Sequence, residues 1–199
     1  LNLFHLFLEK ENTMNNRPNP QGKGLVPVLD SLAESWASIA VPPKHINQIT
    51  SELFTSLFVL HSKFQFKPVI GKSYWLYRRS NMFHLSMIAP QEWGGDGFGQ
   101  FIGECILQKD ITWTLKLDDV ATQDGDLMSL LAVKRKEFEK TLNTVDTVDS
   151  ILPVYVESLP FYQRVFASAL ANSLRTSMLK SGILGVNYKQ AKALIVKKE

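Results

Sequence analysis

The chain has 199 residues, 45% of them hydrophobic and 21% charged, with a net charge of +3. This is the size and balance of one globular domain with an appendage, long enough to bury a core unaided, and it carries no repeat or low-complexity tract. A single cysteine, Cys105, excludes an intrachain disulfide framework, and no segment reaches the ~18 uninterrupted apolar residues of a membrane-spanning helix.

The opening LNLFHLFL is too short to span a bilayer and lacks the basic and small-residue features of a signal peptide. The working protein is therefore expected to begin at Met14 and to be cytoplasmic. Residues 1–24 read as a flexible lead. From residue 25 the spacing of Val28, Leu32, Trp36 and Ile39 is helical until Pro42-Pro43 stops it. Ile46, Ile49, Leu53, Leu57, Leu60 and Phe64 then form one apolar stripe, which predicts a helix over 46–64. Beyond Pro68 and Gly71 the period changes to two. SYWLYRR and MFHLSMIA flank Ser80-Asn81, predicting a hairpin in which Leu76 opposes Leu85, Tyr74 opposes Met87 and Arg78 opposes Phe83. Residues 100–108 and 111–117 predict a second hairpin turning near Lys109-Asp110.

Asp126 reads as the cap of a helix running through Leu127, Leu130, Leu131, Lys134, Phe138 and Leu142. A long helix is expected from about Pro160 to Lys180, closed by Gly182, and a short one over 187–197. Helices, then consecutive strands, then helices predict an α+β fold. Its small antiparallel sheet of about four strands, in two hairpins, packs with N-terminal helices. The expected division is an α+β domain over 25–142, a linker over 143–156 and a basic helical extension over 157–199.

One face of the first hairpin is apolar and is expected on the 46–64 helix. The other carries Trp75, Tyr77, Arg79, His84 and Ser86. Aromatic and arginine side chains together are typical of binding surfaces, because stacking and bidentate hydrogen bonds cost little side-chain entropy. The plain alternative is a helix covering this face. The sheet then leads into Glu92-Trp93-Gly94-Gly95, a loop on a rigid scaffold. Here the plain alternative is that Glu92 pairs with Arg78 or Arg79 and Trp93 plugs the core edge.

The preferred reading is a non-enzymatic binding or adaptor module. Trp75, Tyr77 and Trp93 supply contact area, Arg78 and Arg79 hold an anion or carboxylate, and His84 and Glu92 complete the site. The partner is an unknown protein or a small anionic ligand. A second set, His61, Tyr74, Asp110 and Trp113, is the pocket candidate, and an enzyme would need His61, Tyr77, Glu92 or Asp110 to converge.

The other alternative is nucleic-acid binding. In residues 160–199 the cations, among them Arg164, Arg175, Lys180, Lys189 and Lys192, face Glu199 alone. Residues 184–195 also resemble the second half of a helix-turn-helix, with Gly185 in the turn and Ala191 and Leu194 inward. Tyr188, Lys189, Gln190 and Lys192 would face outward. No cofactor or metal is expected: the Gly-Lys pair lacks phosphate-loop spacing, and the four histidines lack metal spacing. Asp118, Asp119, Asp124 and Asp126 lack the calcium-loop order, and no nucleophile elbow is present.

Four strings, YWLYRR (74–79), SMIAPQEWG (86–94), FIG (101–103) and LQKDITWT (107–114), resemble in order and spacing the domain-of-unknown-function family 2452. His61 lies at a matching distance ahead of them. The turn at Ser80-Asn81 is shorter than the family's. The resemblance implies that residues 74–114 are the shared part of the domain, and it implies no activity.

Overall fold

The computed structural model describes residues 41–93, 98–154 and 156–196. The expected start at Met14, the helix through Val28–Ile39 and the glycines Gly94 and Gly95 lie outside the described residues.

The first helix of the described residues is α1 (Ile46–Leu60). Its stripe is wider than one face: Ile46, Ile49, Leu53, Phe54, Leu57, Phe58, Val59 and Leu60 are all buried, so α1 is an interior helix with partners on several sides. It ends earlier than the 46–64 spacing predicts. His61 caps it, and Phe64 joins the core from the segment beyond.

Four strands follow: β1 (Ser73–Arg79), β2 (Met82–Ser86), β3 (Gln100–Leu107) and β4 (Trp113–Leu117). They form one antiparallel sheet in the order β2-β1-β3-β4. Ser80 and Asn81 take φ of 48° and 64°, the two positive values that a tight hairpin turn requires. That turn sets the predicted register, with Leu76 opposite Leu85 and Arg78 opposite Phe83. Between β1 and β3 the register slips at Leu76/Tyr77, a bulge that brings Phe101 opposite Tyr77. Beside the slip, β4 approaches Gly103 so closely that a Cβ there would sit 2.2 Å from the Lys116 carbonyl oxygen.

Both sheet edges are engaged. At the β2 edge the chain leaving α1 pairs in parallel: Lys63 N–H donates to Phe83 O at 2.7 Å and Leu85 N–H to Lys63 O at 3.0 Å. At the β4 edge, Trp113 N–H donates to Ser56 Oγ of α1 at 2.9 Å.

Helices α2 (Asp119–Gln123), α3 (Gly125–Thr144), α4 (Phe161–Ser181) and α5 (Tyr188–Val196) complete the α+β fold. The cap of α3 is Asp124 rather than Asp126, because the Asp124 carboxylate accepts the N–H groups of Asp126 and Leu127. Gly182, at φ 71°, ends α4 in the left-handed conformation that glycine tolerates. α4 and α5 both pack on α1. The stretch that reads as a linker contributes Val148, Ile151, Leu152 and Val156, and these share one apolar cluster with α1, the sheet, α4 and α5.

Because α4 buries Phe166, Leu170, Leu174 and Met178 against that cluster, removing it uncovers α1. A chain ending at Thr147 is expected to lose its cooperative heat-absorption peak in calorimetry. A sharp transition near the full chain's midpoint would show that α4 is dispensable to the core.

Candidate functional site

Strand alternation sends Tyr74, Leu76 and Arg78 toward the α1 side and Trp75, Tyr77 and Arg79 to the outer face. Cross-strand pairing then builds rows on the outer face. Lys63 lies beside His84, His84 beside Tyr77, and Tyr77 beside Phe101. In the next row Ser86, Trp75, Glu104 and Lys116 follow one another.

Among the described residues, the cover over Tyr77 is the segment after β2 and not a helix. Tyr77 is 2% exposed. Its hydroxyl donates to Ile88 O at 3.0 Å and accepts from Trp93 Nε1 at 3.1 Å. Trp93 stacks on Phe98, 4.4 Å between centroids and 11° apart, and both rings stand edge-on to Tyr77. Phe98 also meets His84 at 6.0 Å. Gly99, at φ 114°, lets the chain return against the Arg78 carbonyl, where a Cβ would come within 2.6 Å. Glu92 closes the short 3-10 turn Pro90–Glu92 by accepting Ala89 N–H. Among the described residues it makes no ion pair with Arg78 or Arg79.

What this packing leaves accessible is different from what the alternation alone suggests. Met87 is 61% exposed and Ile88 38%. Arg79 and Glu92 are exposed, and Trp75, His84, Trp93 and Phe98 are half-buried. Arg78 is on the other side, where its Nη2 donates to Asn81 Oδ1 at 3.1 Å, so the two arginines do not act together. Burial, with Glu92 nearby, raises the Tyr77 phenol above its usual range. Burial and the cations Lys63 and Arg79 lower the His84 imidazole.

The other candidates fall into separate places. Tyr74 and Trp113 are core residues, 3% and 1% exposed, in edge contact at 5.8 Å. His61 donates from Nδ1 to Leu57 O at the end of α1, and burial pushes its pKa down to about 4. Asp110, in the β3–β4 turn, belongs to a polar cluster of its own. The Lys44 ammonium lies between the carboxylates of Asp110 and Glu52. Thr112 donates to Asp110 through Oγ1 at 2.7 Å and through its backbone N–H at 3.3 Å, and Ser173 of α4 donates to the Asp110 carbonyl. Glu52 and His61 are nine residues apart, roughly 14 Å along a helix axis. His61, Tyr77, Glu92 and Asp110 therefore do not meet as one acid–base set; only Tyr77 and Glu92 are neighbours. Among the described residues no group of three His, Cys, Asp or Glu side chains is placed to hold a metal. Cys105 is fully buried, and burial raises its thiol far above the usual range, so it is an inert core residue.

The C-terminal cations are dispersed. Lys180 Nζ donates to Val41 O at 2.7 Å, and Lys192 Nζ sits 4.6 Å over the Tyr188 ring. Arg164 is half-buried, and Arg175 and Lys189 are exposed. On α5 the orientation differs from the helix-turn-helix expectation. Tyr188 and Ala191 face inward together, and Leu194 is 40% exposed, because Tyr188 and Ala191, three residues apart, share the face toward α1.

Sequence reasoning missed Phe98, Phe101, Met87 and Ile88 in the outer site and Lys44, Glu52 and Ser173 in the polar cluster. The FIG string and the apolar Met87-Ile88 pair just after β2 were the available signals for the first group; the second joins residues from separate segments, for which there is no local signal.

Residues 44–133 match the family model described as Protein of unknown function (DUF2452), and the resemblance carried by the four strings holds over that interval. It contains α1, the sheet, the outer-face site, Lys44, Glu52 and Asp110, while α4 and α5 lie beyond it. No solved structure matches the chain. No described helix is long and apolar enough to cross a membrane.

The polar cluster has a defined pH window. Burial alone would lower Lys44, but its hydrogen bonds to Asp110 and Glu52 outweigh burial and raise it above 10.5. Burial would raise Asp110, but Lys44 and Thr112 outweigh it and leave it below 3.8. A depressed carboxylate stabilises the fold above its ordinary range and stops doing so as pH falls through its folded pKa; a raised ammonium does so below 10.5 and stops as pH rises beyond it. Lys44→Ala is expected to cost about 3–5 kcal/mol in urea unfolding at pH 7, since it strands buried carboxylates. It should also weaken the acid limb that Asp110 contributes below pH 3.8. A loss under about 1 kcal/mol would class the cluster with exposed ion pairs.

Proposed function

We propose that the protein is a non-enzymatic binding module that holds a protein partner on the outer face of the sheet, along the segment from Met87 to Trp93. The observation that carries this reading is the exposed Met87-Ile88 pair, 61% and 38% accessible, on a segment whose backbone is tied down by the Tyr77 hydroxyl. Apolar side chains exposed on a fixed seat lose little entropy when a partner covers them, and an apolar group rimmed by polar residues marks an interaction surface. Here the rim is Arg79, His84 and Glu92.

Trp93 and Phe98 play a double part in this reading. They anchor the segment on Tyr77, and their half-buried rings extend the apolar ridge. Trp75 borders it one row away. The enzyme alternative is weaker because its acid–base groups do not share a pocket. The nucleic-acid alternative is weaker because Lys180 and Lys192 are occupied within the fold. Cytoplasmic residence belongs to the same proposal, supported by a lone cysteine that is buried and asks for no oxidising compartment.

The test is site-specific photo-crosslinking in cells expressing the chain, with benzoylphenylalanine in place of Met87 and, as a control, of Val133, which is 55% exposed on α3. A discrete adduct at Met87 and none at Val133 is expected. No adduct at Met87, or the same adducts at both positions, would contradict the reading.

A further inference from the structure

Oxidation turns the flexible, apolar methionine side chain into a polar sulfoxide, and a thiol-dependent reductase turns it back. The fold sorts the methionines of the described residues by access. Met178 is fully buried in α4, Met82 is half-buried at the start of β2, Met128 is 38% exposed on α3 and Met87 is 61% exposed. An oxidant must reach the sulfur, and water must solvate the oxygen it leaves there, so Met87 is the most susceptible of these. It is also placed where the new oxygen alters a surface and not the core. The backbone on either side of it is held without its side chain. Ser86 ends β2, paired with Trp75. Ile88 N–H donates to Ser86 Oγ at 3.0 Å, and Ile88 O accepts the Tyr77 hydroxyl at 3.0 Å. A polar head on Met87 leaves these bonds intact. The same oxygen on Met178 would enter the apolar cluster, which is damage to the fold.

We infer that Met87 is a reversible oxidation site on the apolar ridge, set by hydrogen peroxide and reset by a thiol-dependent methionine sulfoxide reductase. In the forward step the sulfur lone pair attacks one peroxide oxygen. The S–O bond forms as the O–O bond breaks, and the sulfur gives up two electrons. The hydroxide released takes the proton of the transferred oxygen and leaves as water. In the return step two thiols supply two electrons and two protons; the sulfoxide oxygen leaves as water and the thiols become a disulfide. The sulfoxide oxygen is a hydrogen-bond acceptor in the middle of an apolar patch. A partner lying on Met87, Ile88 and Trp93 would bury it, and burying an acceptor without a donor is costly. The oxidised chain therefore releases what the reduced chain holds. That consequence rests on the proposed partner-binding role, whereas the oxidation site itself rests on exposure and packing.

The test treats the full chain with hydrogen peroxide and follows each methionine by peptide mass spectrometry, with thermal unfolding measured alongside. Met87 is expected to gain its oxygen severalfold faster than Met128, with Met178 unmodified and the unfolding midpoint in place. On a hydrophobic-interaction column the oxidised chain is expected to elute earlier than the reduced one. Met87→Leu is expected to remove most of that shift, and reductase with dithiothreitol to reverse it. Oxidation of Met87 no faster than that of Met178, or loss of the folded state once Met87 is oxidised, would overturn the inference. Release is read by photo-crosslinking from benzoylphenylalanine in place of Ile88, in cells with and without peroxide. The adduct is expected to fall severalfold with peroxide and to persist when Met87→Leu is added. An adduct that peroxide leaves unchanged would overturn the switch and leave partner binding standing. No adduct even without peroxide would overturn the partner-binding role and the switch with it.

Discussion

The ammonium of Lys44 is the point at which the separate parts of this fold are joined. It stands just before α1, yet it reaches Glu52 in the middle of that helix and Asp110 in the β3–β4 turn. Lys44 N–H donates to Ser181 Oγ, Ser181 Oγ donates to Lys44 O, and Ser177 Oγ donates to Pro42 O. With Ser173 on the Asp110 carbonyl, four residues along one side of α4, counting Lys180, hold the entry to α1 and the second hairpin together. A buried charge left alone costs several kcal/mol, so the approach of each element is conditional on the others. The apolar cluster around α1 supplies the larger share of stabilisation, but burial is not directional. The polar cluster makes one arrangement of helix, hairpin and α4 preferable to its neighbours.

That arrangement commits one side of the sheet to α1 and leaves the other to be finished locally. Tyr77 does the finishing: it is too large to stay exposed at no cost, and its hydroxyl can accept and donate at once. The chain after β2 folds back, gives it the Ile88 carbonyl and the Trp93 indole, and stacks Trp93 on Phe98. A segment held in this way presents Met87 and Ile88 at fixed positions. The same residue type that suggested a binding surface thus acts one step earlier, as the seat for the residues that are exposed. The polar rim then differs in sign from one end to the other, with Arg79 and His84 at the β2 edge and Glu92 at the loop.

Much of the local order was legible because it obeys short periods. The alternation of SYWLYRR and MFHLSMIA and the Ser80-Asn81 turn predicted β1, β2 and the Leu76–Leu85 and Arg78–Phe83 pairs, although β2 ends at Ser86 before the expected Tyr74–Met87 pair, and Gly182 marked the end of α4. The parts that were not legible depend on approach between distant segments. The bulge at Leu76/Tyr77 lies beside Gly103, where β4 comes closest to β3, and no feature of YWLYRR reports it. Lys44 and Asp110 are separated by 66 positions, and Asp110 read alone is a turn residue. Arg78 and Arg79 read as a pair until the pleat sends them to opposite faces. On α5 the expected inward and outward sides were exchanged for Tyr188 and Leu194, because the face toward α1 is set by packing between distant segments.

Labour is divided across the sheet: the α1 side and the Lys44 cluster hold the fold, and the exposed rim of the outer face is surplus to folding. Guanidinium unfolding of the variant carrying Arg79→Ser, Met87→Ser and Ile88→Ser tests that division directly. Three substitutions at exposed positions are predicted to shift the unfolding free energy by no more than about 1 kcal/mol. A loss of about 3 kcal/mol or more would mean that these side chains are part of the core after all, and that nothing on this face is left for a partner.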